Sequence, residues 1–205
     1  MLFVLTGDVQ TGKTRWLQST IGQLAAEGIA PYGVIAPGVW QEPGKEDPAH
    51  VDENGFEKLG IDNVLLPEGS RIPFARRRDI AQAEGLLDPE SQSSQANLKW
   101  CIDESALDRV NAHLARVRGN AGKPGAGMLV IDELGVLELL RGGGLVEALA
   151  LLEQGPQPAY QHALVVVREQ LLPCLDGRFE KWGERAYVSP DSDLIQIFSS
   201  STGVV

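Results

Sequence analysis

Residues 1–14 read MLFVLTGDVQTGKT, and this stretch decides the fold. The apolar run MLFVL is followed by the pattern G-x-x-x-x-G-K-T, which extends from Gly7 to Thr14. The pattern is typical of a loop between a buried strand and a helix, in which glycines let successive backbone N–H groups turn toward a phosphate anion. Lys13 is suited to contact the outer phosphates, and the hydroxyl of Thr14 is suited to bind Mg²⁺.

The sequence after this loop has the pattern of a helix. Four apolar residues recur at helical spacing: Trp16, Leu17, Ile21 and Leu24. The N-terminus of such a helix adds positive potential at the anion site. We therefore predict a continuous set of nucleotide-binding residues: Gly7, Asp8, Val9, Gln10, Thr11, Gly12, Lys13, Thr14 and Arg15.

Length and charge limit the function classes. The chain has 205 residues and a net charge of −10. This length favours one domain, residues 1–205, and the acidic balance argues against a nucleic-acid-binding surface as the main feature. The N-terminal apolar run is too short for a signal peptide or a membrane span and lacks a basic flank. We expect a cytoplasmic protein without a membrane partner, and a monomer is favoured.

A second motif follows further along the chain. Residues 128–133 read MLVIDE, which predicts a strand buried on both faces with Asp132 at its carboxyl end. Asp132 is expected to contact Mg²⁺ indirectly, through water or another ligand, and Glu133 is placed to polarise a water molecule in line with a γ-phosphate. This acidic pair favours hydrolysis of a nucleoside triphosphate. It also suggests that another strand, predicted at residues 162–167, lies between the loop strand and the Asp132 strand.

The region between the two motifs has a different pattern. After a predicted strand at 32–36, three short apolar pieces at 55–59, 63–67 and 71–76 are separated by turn residues at 60–62 and 68–70, which predicts an antiparallel meander. A strand at 98–102 and a helix with an apolar stripe follow. The predicted fold is α/β: a three-layer P-loop NTPase sandwich of the RecA/ASCE type, with a mostly parallel central sheet and an antiparallel insertion at about 32–102.

A catalytic arginine is expected among the charged residues of the C-terminal third, because the transition state of phosphoryl transfer gains from added positive charge. Arg168, Arg178, Lys181 and Arg185 are available there. Arg178 is the preferred candidate, since the sequence Gly177-Arg178-Phe179 is typical of a turn from which a side chain can reach. The predicted catalytic residues are Lys13, Glu133 and Arg178.

The chain resembles the THEP-type nucleoside triphosphatases. The resemblance is carried by Gly7 to Thr14, by residues 32–35 and 100–103, and most specifically by VIDELGVLEL at 130–139, which is similar to the family signature I-D-E-[IL]-G-x-[ML]-E-L. It implies Mg²⁺-dependent hydrolysis of NTPs with broad base preference. It also implies that Thr14 and Asp132 serve the metal and that Glu133 activates water. Asp8 departs from the family pattern and puts a carboxylate near the phosphates.

Two other functions stay open at this stage. A kinase on a related fold would hold an acceptor molecule in place of water. A nucleotide-binding switch or adaptor would order its loops around the γ-phosphate with little turnover, and the polar segments 40–54 and 79–97 motivate that alternative.

Overall fold

One mixed sheet organises the computed structural model, which describes residues 1–7, 12–42, 51, 55–122 and 124–192. Within these residues the sheet has nine strands: β1 (Leu2–Leu5), β2 (Ala30–Ile35), β3 (Gly38–Gln41), β4 (Glu57–Leu66), β5 (Ser70–Arg77), β6 (Trp100–Ile102), β7 (Gly127–Leu134), β8 (His162–Val167) and β9 (Arg185–Val188). The α-helices are α1 (Lys13–Ala26), α2 (Arg78–Ala83), α3 (Gln92–Gln95), α4 (Glu104–Asn120) and α5 (Val146–Gln154). A π-helical turn spans Leu137–Arg141, and 3₁₀ turns span Glu169–Leu175 and Glu180–Trp182.

The strand order is β6-β5-β4-β2-β7-β8-β1-β9, and β3 pairs with the first half of β4, on the edge opposite β5. The five strands β2, β7, β8, β1 and β9 are parallel, so their carboxyl ends share one edge. As predicted, β8 lies between the loop strand β1 and the Asp132 strand β7. The α/β fold with a parallel core and an antiparallel part is therefore confirmed.

Helices cover both faces of the parallel strands. Along β7 the side chains alternate: Met128 and Val130 pack with α1, whereas Leu129 and Ile131 pack with α4 and α5. All four are fully buried, which explains the unbroken apolar run in the sequence. The resulting arrangement is a three-layer sandwich. Within the described residues, no helix is both long and apolar enough to cross a membrane.

The antiparallel part differs from the prediction in two details. It begins at Gly38 and not near residue 32, because β2 is parallel to β7. The turn predicted at 60–62 is also wrong, since β4 runs unbroken through it. Gly60 serves the pairing with β5, where a Cβ atom would lie 2.7 Å from the carbonyl oxygen of Ala75. The pairing of β4 with β5 shifts register between Ile61 and Asp62, and β4 continues beyond this irregularity.

The polar segment 79–97 is also folded. It contains most of α2 and all of α3, and Ser93 is completely buried. Much of the other segment that motivated the switch hypothesis, 40–54, lies outside the described residues.

Candidate active site

The described part of the phosphate loop connects the carboxyl end of β1 to α1. Gly7 has φ +142° and Gly12 has φ +77°, conformations that side-chain-bearing residues rarely adopt. The predicted loop residues Asp8, Val9, Gln10 and Thr11 lie outside the described residues. Arg15 lies exposed in the first turn of α1.

Lys13 and Thr14 open helix α1 with their functional groups at the carboxyl edge of the sheet. Nζ of Lys13 donates a hydrogen bond to the carbonyl oxygen of Gly7 at 2.8 Å, so the ammonium group lies near the carboxyl end of β1. The Thr14 side chain lies beside Asp132 near the end of β7, where it lowers the pKa of that carboxyl. The structure thus brings together the two residues that sequence analysis assigned to the metal.

The carboxylate of Asp132 is buried at the carboxyl edge of the sheet. It is 3% exposed, and the backbone N–H of Ala36, just beyond β2, donates to its Oδ2 at 2.8 Å. Burial raises the pKa of Asp132 to about 6, and the charge of Glu133 adds to the increase, against the opposing effects of the hydrogen bonds and of Lys58. A cation beside Asp132 would offset the cost of the buried charge.

Glu133 has an unusual backbone conformation. Its φ is +71°, in the left-handed region, and the pairing of β7 with β8 shifts register between Ile131 and Leu134. A non-glycine residue in this region is strained, and such strain is concentrated at functional sites. The guanidinium of Arg168 donates a hydrogen bond to Oε1 of Glu133 and forms an ion pair with it.

Arg168 reaches this position because it directly follows β8, the strand between β1 and β7. The sequence pattern favoured Arg178 over Arg168 as the catalytic arginine, but Arg178 lies elsewhere in the structure. Arg178 pairs with Glu153 at 2.9 Å, and its carbonyl accepts from Arg185, which is opposite Leu2 at the amino edge of the sheet. The sequence signal for Arg168 was its position after the predicted central strand.

Lys58 is a second cation that sequence analysis did not select. Because β4 is antiparallel to β2, its first half projects beyond the carboxyl end of β2 and carries Lys58 toward the site. Burial lowers the pKa of Lys58, while the charges of Glu133 and Asp132 raise it. Its Nζ lies 5.0 Å from the ring centroid of Trp100. The long-range pairing that brings Lys58 here has no local signal in the sequence.

Glu138, the second acid of the signature, has a bridging position. Its Oε2 accepts from the backbone N–H of Gly135 at 2.9 Å, and its Oε1 accepts from that of Leu145 at 2.8 Å. Glu138 therefore ties the segment after Glu133 to the residue that precedes α5. These two contacts support a role for Glu138 in fixing the segment between Glu133 and α5.

The described residues contain no cluster of three or more His, Cys, Asp or Glu side chains that could hold a metal ion. A protein–metal contact at this edge would rest on Thr14 and Asp132. This number suits Mg²⁺, which commonly takes one or two protein ligands and completes its shell with phosphate oxygens and water.

Two solved structures share this fold. The solution structure of a human cancer-related nucleoside triphosphatase has a TM-score of 0.60 and 17% identity, over 100% of this chain and 98% of that one. The crystal structure of THEP1 from the hyperthermophile Aquifex aeolicus has a TM-score of 0.58 and 13% identity, over 98% and 96% of the two chains. The resemblance carried by the sequence motifs thus extends to the fold over nearly the whole chain. The sequence matches no protein-family model and no curated protein.

Proposed function

We propose that this chain is a THEP-type nucleoside triphosphatase that hydrolyses NTPs to NDPs and phosphate in the presence of Mg²⁺. The observation that carries the proposal is the assembly at the carboxyl edge of the sheet. The side chain of Thr14, at the end of the loop, lies beside Asp132 there, and Arg168 is bonded to the next residue, Glu133. The fold likeness to two nucleoside triphosphatases supports the same proposal.

The phosphates would bind at the N-terminus of α1. The positive end of this 14-residue helix favours an anion, and Lys13 would exchange its contact with the Gly7 carbonyl for β- and γ-phosphate oxygens. Charge-assisted hydrogen bonds of this kind are about twice as strong as neutral ones. Lys13 therefore contributes to both the affinity and the orientation of the triphosphate.

Thr14 and Asp132 fit a magnesium ion, because both offer hard oxygen atoms and they already contact each other. When bound, Mg²⁺ would neutralise charge on the β- and γ-phosphates. The buried carboxylate of Asp132, with its raised pKa, is the group that gains most from a cation. Ala36 fixes its orientation through a backbone hydrogen bond.

Glu133 would orient the attacking water and accept its proton. This carboxylate accepts a hydrogen bond from Arg168. An incoming γ-phosphate would compete for the guanidinium, which would release one side of Glu133 toward water and bring positive charge to the developing transition state. Arg168 thus takes the role for which Arg178 was predicted, since Arg178 lies at the other edge of the sheet.

The test is phosphate release from a panel of NTPs and dNTPs, with Mg²⁺ or with EDTA. We expect turnover only with Mg²⁺, and we expect Glu133→Gln to reduce kcat by about 10²–10⁴ while nucleotide binding is retained. Glu153→Gln is the matched control, because Glu153 also pairs with an arginine but lies near the amino edge. Full turnover in Glu133→Gln would refute the assigned role.

The kinase alternative is separated by the same assay. Nucleosides and nucleoside monophosphates are added as acceptors, and NDP formation is compared with phosphate release. Equal amounts of the two products support hydrolysis, whereas an excess of NDP that depends on an acceptor indicates transfer. Tight nucleotide binding with turnover below about 10⁻³ s⁻¹, the scale of an unassisted switch GTPase, would indicate a switch.

A further inference from the structure

The ammonium group of Lys58 has aromatic neighbours and, among the described residues, no oxygen partner. Its Nζ lies 5.8 Å from the ring centroid of Trp40 and 5.0 Å from that of Trp100. No hydrogen bond or ion pair joins it to an oxygen atom of the described part of the chain. An ammonium group carries three donors, and the two indole rings offset only part of the cost of leaving them without acceptors.

The pairing of β3 with β4 fixes where this side chain ends. Trp40 pairs with Lys58, and a Cβ atom on Gly38 would lie 2.7 Å from Cε of Lys58. The end of the lysine side chain therefore packs on the backbone just beyond β2. Ala36, two residues before Gly38, donates its N–H to Asp132. The ammonium group is thus held at the carboxyl edge, on the β2 side of the carboxylate pair.

Charges from three strands meet at this edge. Burial lowers the pKa of Lys58, whereas the charges of Glu133 and Asp132 raise it. The charge of Arg168 opposes them, so all three groups are within electrostatic range of the ammonium group. In the strand order, β4 lies on one side of β7, whereas β8 and β1 lie on the other. Lys58 therefore approaches the carboxylate pair from the side opposite Lys13 and Arg168.

The partner that this ammonium group lacks is an anionic oxygen atom. In the proposed reaction a γ-phosphate binds beside Asp132 and Glu133, and its transfer spreads negative charge over three equatorial oxygen atoms. A charge-assisted hydrogen bond to one of them is about twice as strong as a neutral one. We infer that Lys58 is a catalytic residue whose ammonium group binds a γ-phosphate oxygen, on the side opposite Lys13. The inference rests on the proposed nucleotide site but does not depend on turnover.

The test compares two nucleotides that differ in the γ-phosphate: ADP and the non-hydrolysable triphosphate AMP-PNP, each with Mg²⁺. Dissociation constants are measured by isothermal titration calorimetry. Lys58→Met keeps the length of the side chain and removes its charge. It should weaken binding of AMP-PNP by about tenfold or more and change that of ADP by less than about twofold, because only AMP-PNP has the γ-phosphate.

Two further variants serve as controls. Lys58→Arg should restore most of the affinity for AMP-PNP, since a guanidinium keeps the charge and also stacks on indole rings. Lys181→Met removes an exposed lysine on the turn Glu180–Trp182 and should leave both dissociation constants unchanged. Lys58→Gln provides the same comparison as Lys58→Met if the methionine variant does not fold.

Turnover provides a second measurement. Lys58→Met should reduce kcat for phosphate release by about 10², the effect of removing one donor that stabilises the transition state, and Lys58→Arg should recover part of the loss. A merely structural role would weaken ADP and AMP-PNP alike.

Equal weakening of the two nucleotides, or an unchanged dissociation constant for AMP-PNP, would overturn the inference while phosphate release by the wild type still supports hydrolysis. Selective weakening of AMP-PNP in Lys58→Met, together with no phosphate release by the wild type, would support the contact and refute hydrolysis. Absence of nucleotide binding to the wild type would refute both.

Discussion

Replacing Gly144 with alanine should break the link between the segment after Glu133 and the start of α5. Gly144 has φ +66°, and a Cβ atom there would lie 2.0 Å from Oε1 of Glu138. This oxygen accepts the backbone N–H of Leu145 at 2.8 Å. The new methyl group and the carboxylate cannot both keep their places, so Glu138 must move and the buried N–H of Leu145 loses its acceptor.

Two costs determine the expected magnitude. The left-handed backbone conformation costs about 1–2 kcal/mol for a residue with a Cβ atom. The lost hydrogen bond to a charged group adds about 1.5–3 kcal/mol. Gly144→Ala should therefore lower the free energy of unfolding by about 2.5–5 kcal/mol, which is a large share of the stability of a typical domain.

Gly142→Ala is the matched control for the backbone cost. Gly142 has φ +67°, nearly the same as Gly144, but a Cβ atom there would meet nothing within 4 Å. Its destabilisation should be about 1–2 kcal/mol. Urea denaturation followed by circular dichroism gives both values, and the difference between the variants isolates the displacement of Glu138. Equal stabilities, within about 0.5 kcal/mol, would refute the reasoning.

The same pair of variants tests the connection to activity. The other oxygen of Glu138 holds the N–H of Gly135, two residues after Glu133. A displacement of about 1 Å at a catalytic group can reduce turnover by about 10². At a temperature at which both variants are folded, Gly144→Ala should therefore lose at least about tenfold in kcat, and Gly142→Ala should stay close to the wild type.

Three further variants test the assigned roles. Lys13→Ala should raise the dissociation constant of a fluorescent ADP analogue by about tenfold or more, because a charge-assisted contact is lost; an unchanged constant would remove Lys13 from the site. Arg168→Ala should reduce kcat for phosphate release by about 10³, as for other catalytic arginines, whereas Arg178→Ala should retain full activity; the reverse order would restore the sequence-based choice. For Asp132→Asn, the relevant fact is that the pKa of Asp132 is raised to about 6, above its ordinary 3.8. The proton on the Asp132 carboxyl therefore stabilises the fold fully below pH ~4, and this stabilisation is lost as the pH rises through about 6. Asp132→Asn keeps the side chain neutral, so at pH 8 the variant should be more stable than the wild type without nucleotide by up to about 3 kcal/mol. Near pH ~4 the two should be equally stable, and denaturation at both pH values measures the difference.

Features that are continuous in the sequence could be predicted. Local patterns predicted the strand β1, the helix α1 and the buried strand before Asp132, and the topology that the acidic pair implies predicted the central position of β8. The wrong turn at 60–62 shows the limit of such patterns. Gly60 is a residue type common in turns, but here a glycine is needed because the backbone of β5 approaches it closely. This approach is a contact between distant parts of the chain and has no local signal in the sequence.

Long-range pairing also explains the missed site residues. Lys58 reaches the site because β4 overshoots β2, and nothing near Lys58 in the sequence encodes that overshoot. The position of Arg168 could have been predicted from the sequence, because this residue directly follows the strand predicted between β1 and β7. The preference for Arg178 rested on its local turn, and a turn says nothing about which edge of a parallel sheet it occupies.

Local rules of folding are broken at three neighbouring positions. Glu133 adopts a left-handed backbone, Asp132 buries a charge, and Asn63 buries an unpaired amide. Each is unfavourable for the protein alone, and all three border the same cavity at the carboxyl edge. Sequences are expected to break local rules chiefly where function requires it. A cation beside Asp132 would relieve its buried charge, so the demand that residues here break local rules comes from the chemistry of the carboxyl edge and not from the stability of the fold.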